Sequence, residues 1–236
     1  MARTGFFLLA LAAAATWCAP ASAGAFKTIT IDDDYSDWAG VPVVDSDGGD
    51  NFSGPDIGDT QIANDGSYLY IRNTFPNNLA LGTFMGIDID ENPATGFDIF
   101  GLGVFGQEAG WQNDFPFTSA TGTFNNGQGM SGEFFGSGAA NMTPFANAGS
   151  RELAISLDVL LNQDNSPLFP DDTIRIMFWT DLGTGADGLP AGFAGDDGLN
   201  FDVSGIIEYT LAAPEPTSVA LAALAACAVV VGRRRG

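Results

Sequence analysis

The chain has 236 residues, 29 of them acidic and 8 basic, with no histidine and a formal net charge of −21. A surface of that sign repels nucleic acid and anionic lipid headgroups, so neither is an expected partner. Without histidine, Ser-His-Asp and Cys-His catalysis and the usual zinc sites are excluded, which leaves carboxylates as the available general acids and bases.

The first 23 residues carry one charge, Arg3, then an apolar run from 6 to 15, then Ala21-Ser22-Ala23 before Gly24. A basic start, an apolar middle and a small-residue exit are the parts of a secretory signal peptide, and cleavage is expected after Ala23. Pro20 and the exit site make the run too short for a membrane span. Trp17 before Cys18 is too bulky for the position preceding a lipidated cysteine. Both cysteines, Cys18 and Cys227, lie outside residues 24–213, so the exported body is expected to have no disulfide and no thiolate site.

Residues 24–213 hold enough chain for one domain with a core. Their basic residues are Lys27, Arg72, Arg151 and Arg175, against 28 acids (29 less Glu215), a formal charge of 4 − 28 = −24. Such a body favours divalent cations, high-salt surroundings, or both. Gly, Asn, Asp and Thr between short apolar runs predict β structure. The expected strands cover 27–31, 60–63, 68–72, 83–89, 99–105, 115–124, 151–157, 173–180 and 206–211. Asn64-Asp65-Gly66 is a hairpin signal between the second and third. In 173–180, Ile174, Ile176 and Phe178 alternate onto one face. A turn of helix is expected near Leu160, and a Gly-, Ala- and Asn-rich long loop or irregular edge over 125–149. The fold class is therefore all-β: a two-sheet antiparallel β-sandwich with one minor helix.

Ile31-Asp32-Asp33-Asp34-Tyr35-Ser36-Asp37-Trp38, then Tyr68-Leu69-Tyr70-Ile71, then the Asp-rich run from Asp88 to Phe97, resemble the opening motifs of ninth-family carbohydrate-binding modules and DOMON-like sandwiches. The resemblance covers residues 27–100, and Asp33 departs from it where glycine is usual. It implies a jelly-roll-like sandwich, often calcium-bound, that frequently binds sugars.

Asp88, Asp90 and Asn92 alternate at a strand end, and Pro93 and Gly96 enforce a turn, so their oxygens can converge. With Asp98 and the carbonyl of Thr95 they form a candidate calcium set, calcium taking ~6–8 oxygen ligands. The competing reading is an Asx-stabilised turn with solvated carboxylates. Asp45, Asp47 and Asp50, and Asp181, Asp187, Asp196 and Asp197, are weaker sets. For a sugar platform, Arg72, Arg175 and Trp179 make a polar-aromatic floor if their strand faces coincide, with Trp111 exposed in a Gly- and Gln-rich loop. Sheets buried on both faces would instead place these aromatics in the core, and Trp38 is expected to plug it.

The chain closes with Pro214-Glu215-Pro216, an apolar stretch, and Arg233-Arg234-Arg235. Residues 216–232 would span about 25 Å as a helix, short for a bilayer, and the arginines favour the cytoplasmic side. A plain tail anchor has similar hydropathy. The order of parts resembles bacterial PEP-CTERM sorting signals, over 214–236, with Pro214, Glu215 and Pro216 as the motif. The resemblance implies recognition by an exosortase-type processing enzyme, removal of the helix, and association with extracellular polysaccharide or biofilm. The expected protein is thus exported, membrane-anchored before processing, then held at the cell surface or in the matrix. Its expected role is non-catalytic and carbohydrate-binding-like, with calcium. The alternatives are a purely structural matrix protein without a ligand pocket, or a carboxylate-dependent glycan hydrolase needing paired acids ~5–9.5 Å apart.

Overall fold

The Asn64-Asp65-Gly66 signal closes the hairpin of β3 (Asp59–Asn64) and β4 (Tyr68–Thr74), in register Ile62 with Ile71. Asp65 makes the turn: its Oδ1 accepts the backbone N–H groups of Ser67 (2.8 Å) and Tyr68 (3.0 Å), the Asx geometry that favours Asp at such positions. In the computed structural model, residues 24–51, 54–101, 103–131, 140–180 and 202–214 are described.

Around this hairpin the first sheet adds β1 (Ala25–Phe26), β2 (Val43–Ser46), β10 (Ala140–Thr143) and β11 (Ser150–Ser156) in the order β1-β3-β4-β11-β10, β2 sharing the β3 edge with β1. Only β1 on β3 is parallel among these pairs. The second sheet comprises β5 (Thr83–Asp88), β8 (Ala109–Gln112), β9 (Phe115–Thr118), β12 (Thr173–Thr180) and β13 (Ile207–Thr210), in the antiparallel order β13-β12-β5-β8-β9. β6 (Phe97–Asp98) and β7 (Gly106–Gln107) form a separate small ribbon. β4 and β11 are neighbours in one sheet, and the strands that follow them, β5 and β12, are neighbours in the other. The chain therefore crosses between the sheets three times, after β4, β9 and β11, interlocking them as an all-β sandwich.

Period-two alternation sets the main core. Leu69, Ile71, Leu153 and Ile155 of the first sheet meet Met85, Ile87, Trp111, Ile174, Ile176 and Phe178 of the second. Each sheet is also covered on its outer face. Ile29, Trp38 and Val41 lie over Ala63, Tyr70 and Ala154. On the other side, Ile99, Phe105 and Val203 lie over Met177 and Trp179. Trp38 ends a single 3-10 turn (Tyr35–Trp38), capped by Asp34, whose carboxylate accepts Ser36 N–H.

The elements differ from expectation where glycine or a cover intervenes. Residues 27–31 form no ladder strand; they cross the outer face, with Ile29 buried and Thr30 N–H held by Asp37 (2.6 Å). The strand expected over 99–105 is a reversal, with positive φ at Phe100 (59°), Gly101 (70°) and Gly103 (67°). The strand expected over 115–124 stops at Thr118, because Ala120 and Thr123 bridge and Gly122 turns at φ 76°. No helix forms near Leu160: Leu160 bridges Pro167, and Asn165 turns with φ 60°. Within 125–149, expected as a loop or irregular edge, β10 forms an edge strand on β11.

Candidate functional site

β5 places Phe84, Gly86 and Asp88 on the outer face of the second sheet, and Asp88 is fully buried where the strand ends. The chain then turns sharply. Asn92 N–H donates to Asp88 Oδ1 and Asp90 Oδ1 (both 3.1 Å), Ala94 N–H donates to Asn92 Oδ1 (3.1 Å), and Glu91 sits at φ 55°. Thr95 Oγ1 donates to Asp90 Oδ1 (2.8 Å). From the step between β7 and β8, Glu108 turns back to this loop, and its Oε2 accepts Ile89 N–H (2.9 Å). The result is three carboxylates, Asp88, Asp90 and Glu108, each with an oxygen within 4.8 Å of the others.

Arg175 of β12 reaches the cluster from below. Its Nη1 lies 2.8 Å from Asp88 Oδ2 and its Nη2 donates to Val104 O (2.9 Å), with the guanidinium 5.9 Å from the Phe105 ring centre. The Asp88 pKa is nevertheless raised: burial outweighs Arg175 and the N–H groups of Gly106 and Asn92. Glu108 is pushed up to about 7 from an ordinary 4.5, by burial first and then by Asp90 and Asp88, against the Ile89 N–H. Three carboxylates and one guanidinium leave a formal charge of −2 in a small volume, with oxygen the only donor element. That donor set fits a hard divalent cation such as calcium, which would take Asp90, Glu108 and an oxygen of Asp88. It does not fit zinc or copper, which prefer nitrogen and sulfur.

The expected calcium set is thus partly assembled. Asp88, Asp90, Asn92 and Thr95 share one loop, but the Asn92 side-chain oxygen is engaged by Ala94. The Thr95 carbonyl faces Gly106, where an added Cβ would collide with it. Asp98 is elsewhere: its Oδ1 accepts Gly103 N–H (2.8 Å) and fixes the 98–103 reversal. Glu108 takes its place, brought in by strand register instead of sequence proximity. A second trio, Asp50, Asp56 and Asp202, forms at the opposite pole, with Asp56 Oδ1 accepting Gly49 N–H (2.9 Å) and Asp202 Oδ2 accepting Ile57 N–H (2.6 Å). Of the weaker acidic sets it takes up Asp50 alone; Asp45 instead accepts Gly205 N–H (3.2 Å). Asp181, Asp187, Asp196 and Asp197 lie outside the described residues.

The polar-aromatic floor does not form. Arg72 projects from the outer face of the first sheet, donating to Ser150 Oγ (2.9 Å) and Gln61 Oε1 (3.0 Å) over the Tyr35 ring. Arg175 and Trp179 project from the outer face of the second sheet, so the whole sandwich separates them from Arg72. Trp179 is 5% exposed and stacks on Phe84 (5.5 Å between ring centres, 4° apart). Trp111 is 0% exposed, in β8 and between the sheets. The outer covers, which no periodicity announces, turn these faces into core. Pro214 is exposed at the end of the described residues, and Glu215, Pro216, Arg233, Arg234 and Arg235 lie beyond them. Among the described residues no helix is long and apolar enough to cross a membrane.

No protein-family model matches the sequence, and no curated protein matches it. Among solved structures, the fold is similar to a family 9 carbohydrate-binding module from Caldicellulosiruptor kristjanssonii in complex with cellotriose. Identity is 11% over 83% of this chain and 95% of that one, with a TM-score of 0.40. At that distance the likeness assigns neither a ligand nor binding residues to this chain.

Proposed function

We propose that the chain is an exported, non-catalytic β-sandwich that serves at the cell surface or in an exopolysaccharide matrix as a calcium-stabilised, carbohydrate-binding-like module. The observation that carries the calcium part is the convergence of Asp88, Asp90 and Glu108 within 4.8 Å, with Glu108 pushed up to about 7. A divalent cation neutralises the formal −2 and ties the 88–95 turn to the start of β8. Asp88 is fully buried and bound to Arg175, so it cannot serve as one of a pair of glycosidase carboxylates. Export and processing rest on the leader, on Pro214-Glu215-Pro216 and on Arg233-Arg234-Arg235. The matrix setting follows from that resemblance, and an acidic body joined by calcium to anionic polysaccharide is compatible with it.

The test is thermal melting of the full-length chain with calcium and with a chelator. At calcium near 100 times Kd, binding adds about 2.7 kcal/mol, or roughly 5–10 °C for a body of this size. Asp90→Asn with Glu108→Gln should abolish the shift. Equal melting temperatures in calcium and chelator would remove the cation from the proposal.

A further inference from the structure

We propose that the β9 edge of the second sheet carries a binding groove for a neutral glycan, built on Phe115 and the amide side chains around it. The groove runs beside β9 and is lined by Phe115, Asn125, Gly127, Gln128, Gly129 and Asn162, together with Pro116 and Phe117. It lies on different elements from the acidic trio. The inference deepens the carbohydrate-binding reading and rests on it.

Phe115 is 53% exposed, although the next three residues of its strand are buried. A ring left half in water beside a concavity is a platform for the apolar face of a sugar. The surrounding loop is held in shape by amides. Asn125 Oδ1 accepts Gly127 N–H (2.9 Å), Asn126 Oδ1 accepts Gln128 N–H (2.9 Å), and Asn126 Nδ2 donates to Gln163 Oε1 (3.0 Å). Asn162 N–H donates to Gly129 O (3.0 Å), joining the loop to the next segment. The glycines at 127 and 129 carry no side chain to block close approach to the backbone. Such pre-formed, rigidly backed grooves bind with less ordering cost.

The lining narrows the ligand class. None of its residues is charged, in a chain whose net charge is −21. An anionic ligand finds no cation there and a cationic one finds no carboxylate. A purely apolar ligand finds one exposed ring among amides. Paired donors and acceptors beside an aromatic face match a polyhydroxylated, uncharged chain. The β9 edge is also closed to an added peptide strand. Its outward N–H positions are Pro116, which has no N–H, and Thr118, whose N–H donates to Gln128 O (2.9 Å).

The experiment is affinity electrophoresis of the full-length chain in gels containing a β-glucan, a xylan or a galactomannan, with polygalacturonate as the anionic comparison. Phe115→Ala and Gln128→Ala are compared with Tyr68→Ala, an exposed ring on the other sheet. Retardation by at least one neutral polymer, weakened about tenfold by Phe115→Ala, reduced by Gln128→Ala and unchanged by Tyr68→Ala, is the expected result. Retardation that survives both groove substitutions overturns the groove and leaves the carbohydrate-binding reading in place. Retardation by polygalacturonate alone overturns the neutral ligand. No retardation by any polymer overturns the groove and the carbohydrate-binding reading together.

Discussion

Glu152 fastens the N-terminal cover to the first sheet, and replacing it with glutamine measures that attachment. The carboxylate is fully buried on β11: its Oε1 accepts the N–H groups of Asp32 and Asp33 (both 2.8 Å), and its Oε2 accepts Trp38 Nε1–H (2.9 Å). Hydrogen bonds to a charged group contribute about 1.5–3 kcal/mol each, against ~1 for neutral pairs. Glutamine keeps one oxygen for the two backbone donors, weakening each bond by roughly 0.5–1 kcal/mol after allowance for their partial exposure. It turns its NH2 toward the indole N–H and leaves that buried donor unsatisfied, at about 1–3 kcal/mol. The sum is roughly 2–5 kcal/mol, or a fall of about 4–20 °C in Tm at ~2–4 °C per kcal/mol. Differential scanning calorimetry reads the fall, and a double-mutant cycle with Trp38→Phe isolates the indole bond. The two substitutions should be non-additive by about 1–2 kcal/mol. Additivity within ~0.5 kcal/mol, or a Tm change under ~2 °C for Glu152→Gln, would refute the reasoning.

Three further outcomes are expected. Glu108 binds more protons folded than unfolded between its ordinary 4.5 and its folded value of about 7, so its neutral form stabilises the calcium-free protein fully below pH 4.5. That contribution is lost as pH rises through 7; Glu108→Gln should flatten this part of the profile, and urea titrations in chelator that show an unchanged slope would contradict it. Arg175→Met leaves Asp88 buried beside a missing partner and should cost about 2–4 kcal/mol, the Arg175 side chain being 18% exposed. Adding Asp88→Asn should recover more than half of that, whereas simple addition of the two losses would show that the pair is not coupled. Trp111 and Trp38 are both buried, but the Trp111 indole N–H has no hydrogen-bond partner among the described residues. Trp111→Phe should therefore cost about 1 kcal/mol less than Trp38→Phe, and the reverse order in urea melts would count against it.

Strand β12 was legible because Ile174, Ile176 and Phe178 alternate with Arg175 and Met177 in a run free of glycine. The β3–β4 hairpin was legible because Asp65 carries its own turn chemistry. The outer covers were not, since they depend on which distant segment lies over a face. Trp179 has the spacing of an exposed platform and the neighbours of a core. Trp111 stands between Gly110 and Gln112, a composition that suggests a loop, yet Gly110 makes room for the Gln107 amide and the Phe117 ring on the outer face while Trp111 fills the inner one. In the acidic site, local spacing found Asp88 and Asp90 and favoured Asp98. Glu108 arrives through the pairing of β5 with β8, which joins Ile87 to Ala109. The Phe115 groove escaped notice because its amides come from two segments more than thirty positions apart.

Asn64 binds the segment leading to Pro214 twice, its Oδ1 accepting Ala212 N–H (2.7 Å) and its Nδ2 donating to Ala212 O (3.0 Å), while the Asn64 carbonyl accepts Lys27 N–H (2.8 Å). Tension applied along the tail from Pro214 would meet this clasp before it reached β13, an edge strand held by four paired positions to β12. The first yield point under mechanical load is then a pair of side-chain bonds, and the sheet behind it bears force only after they part. Asn64→Ala would let β13 peel at lower force.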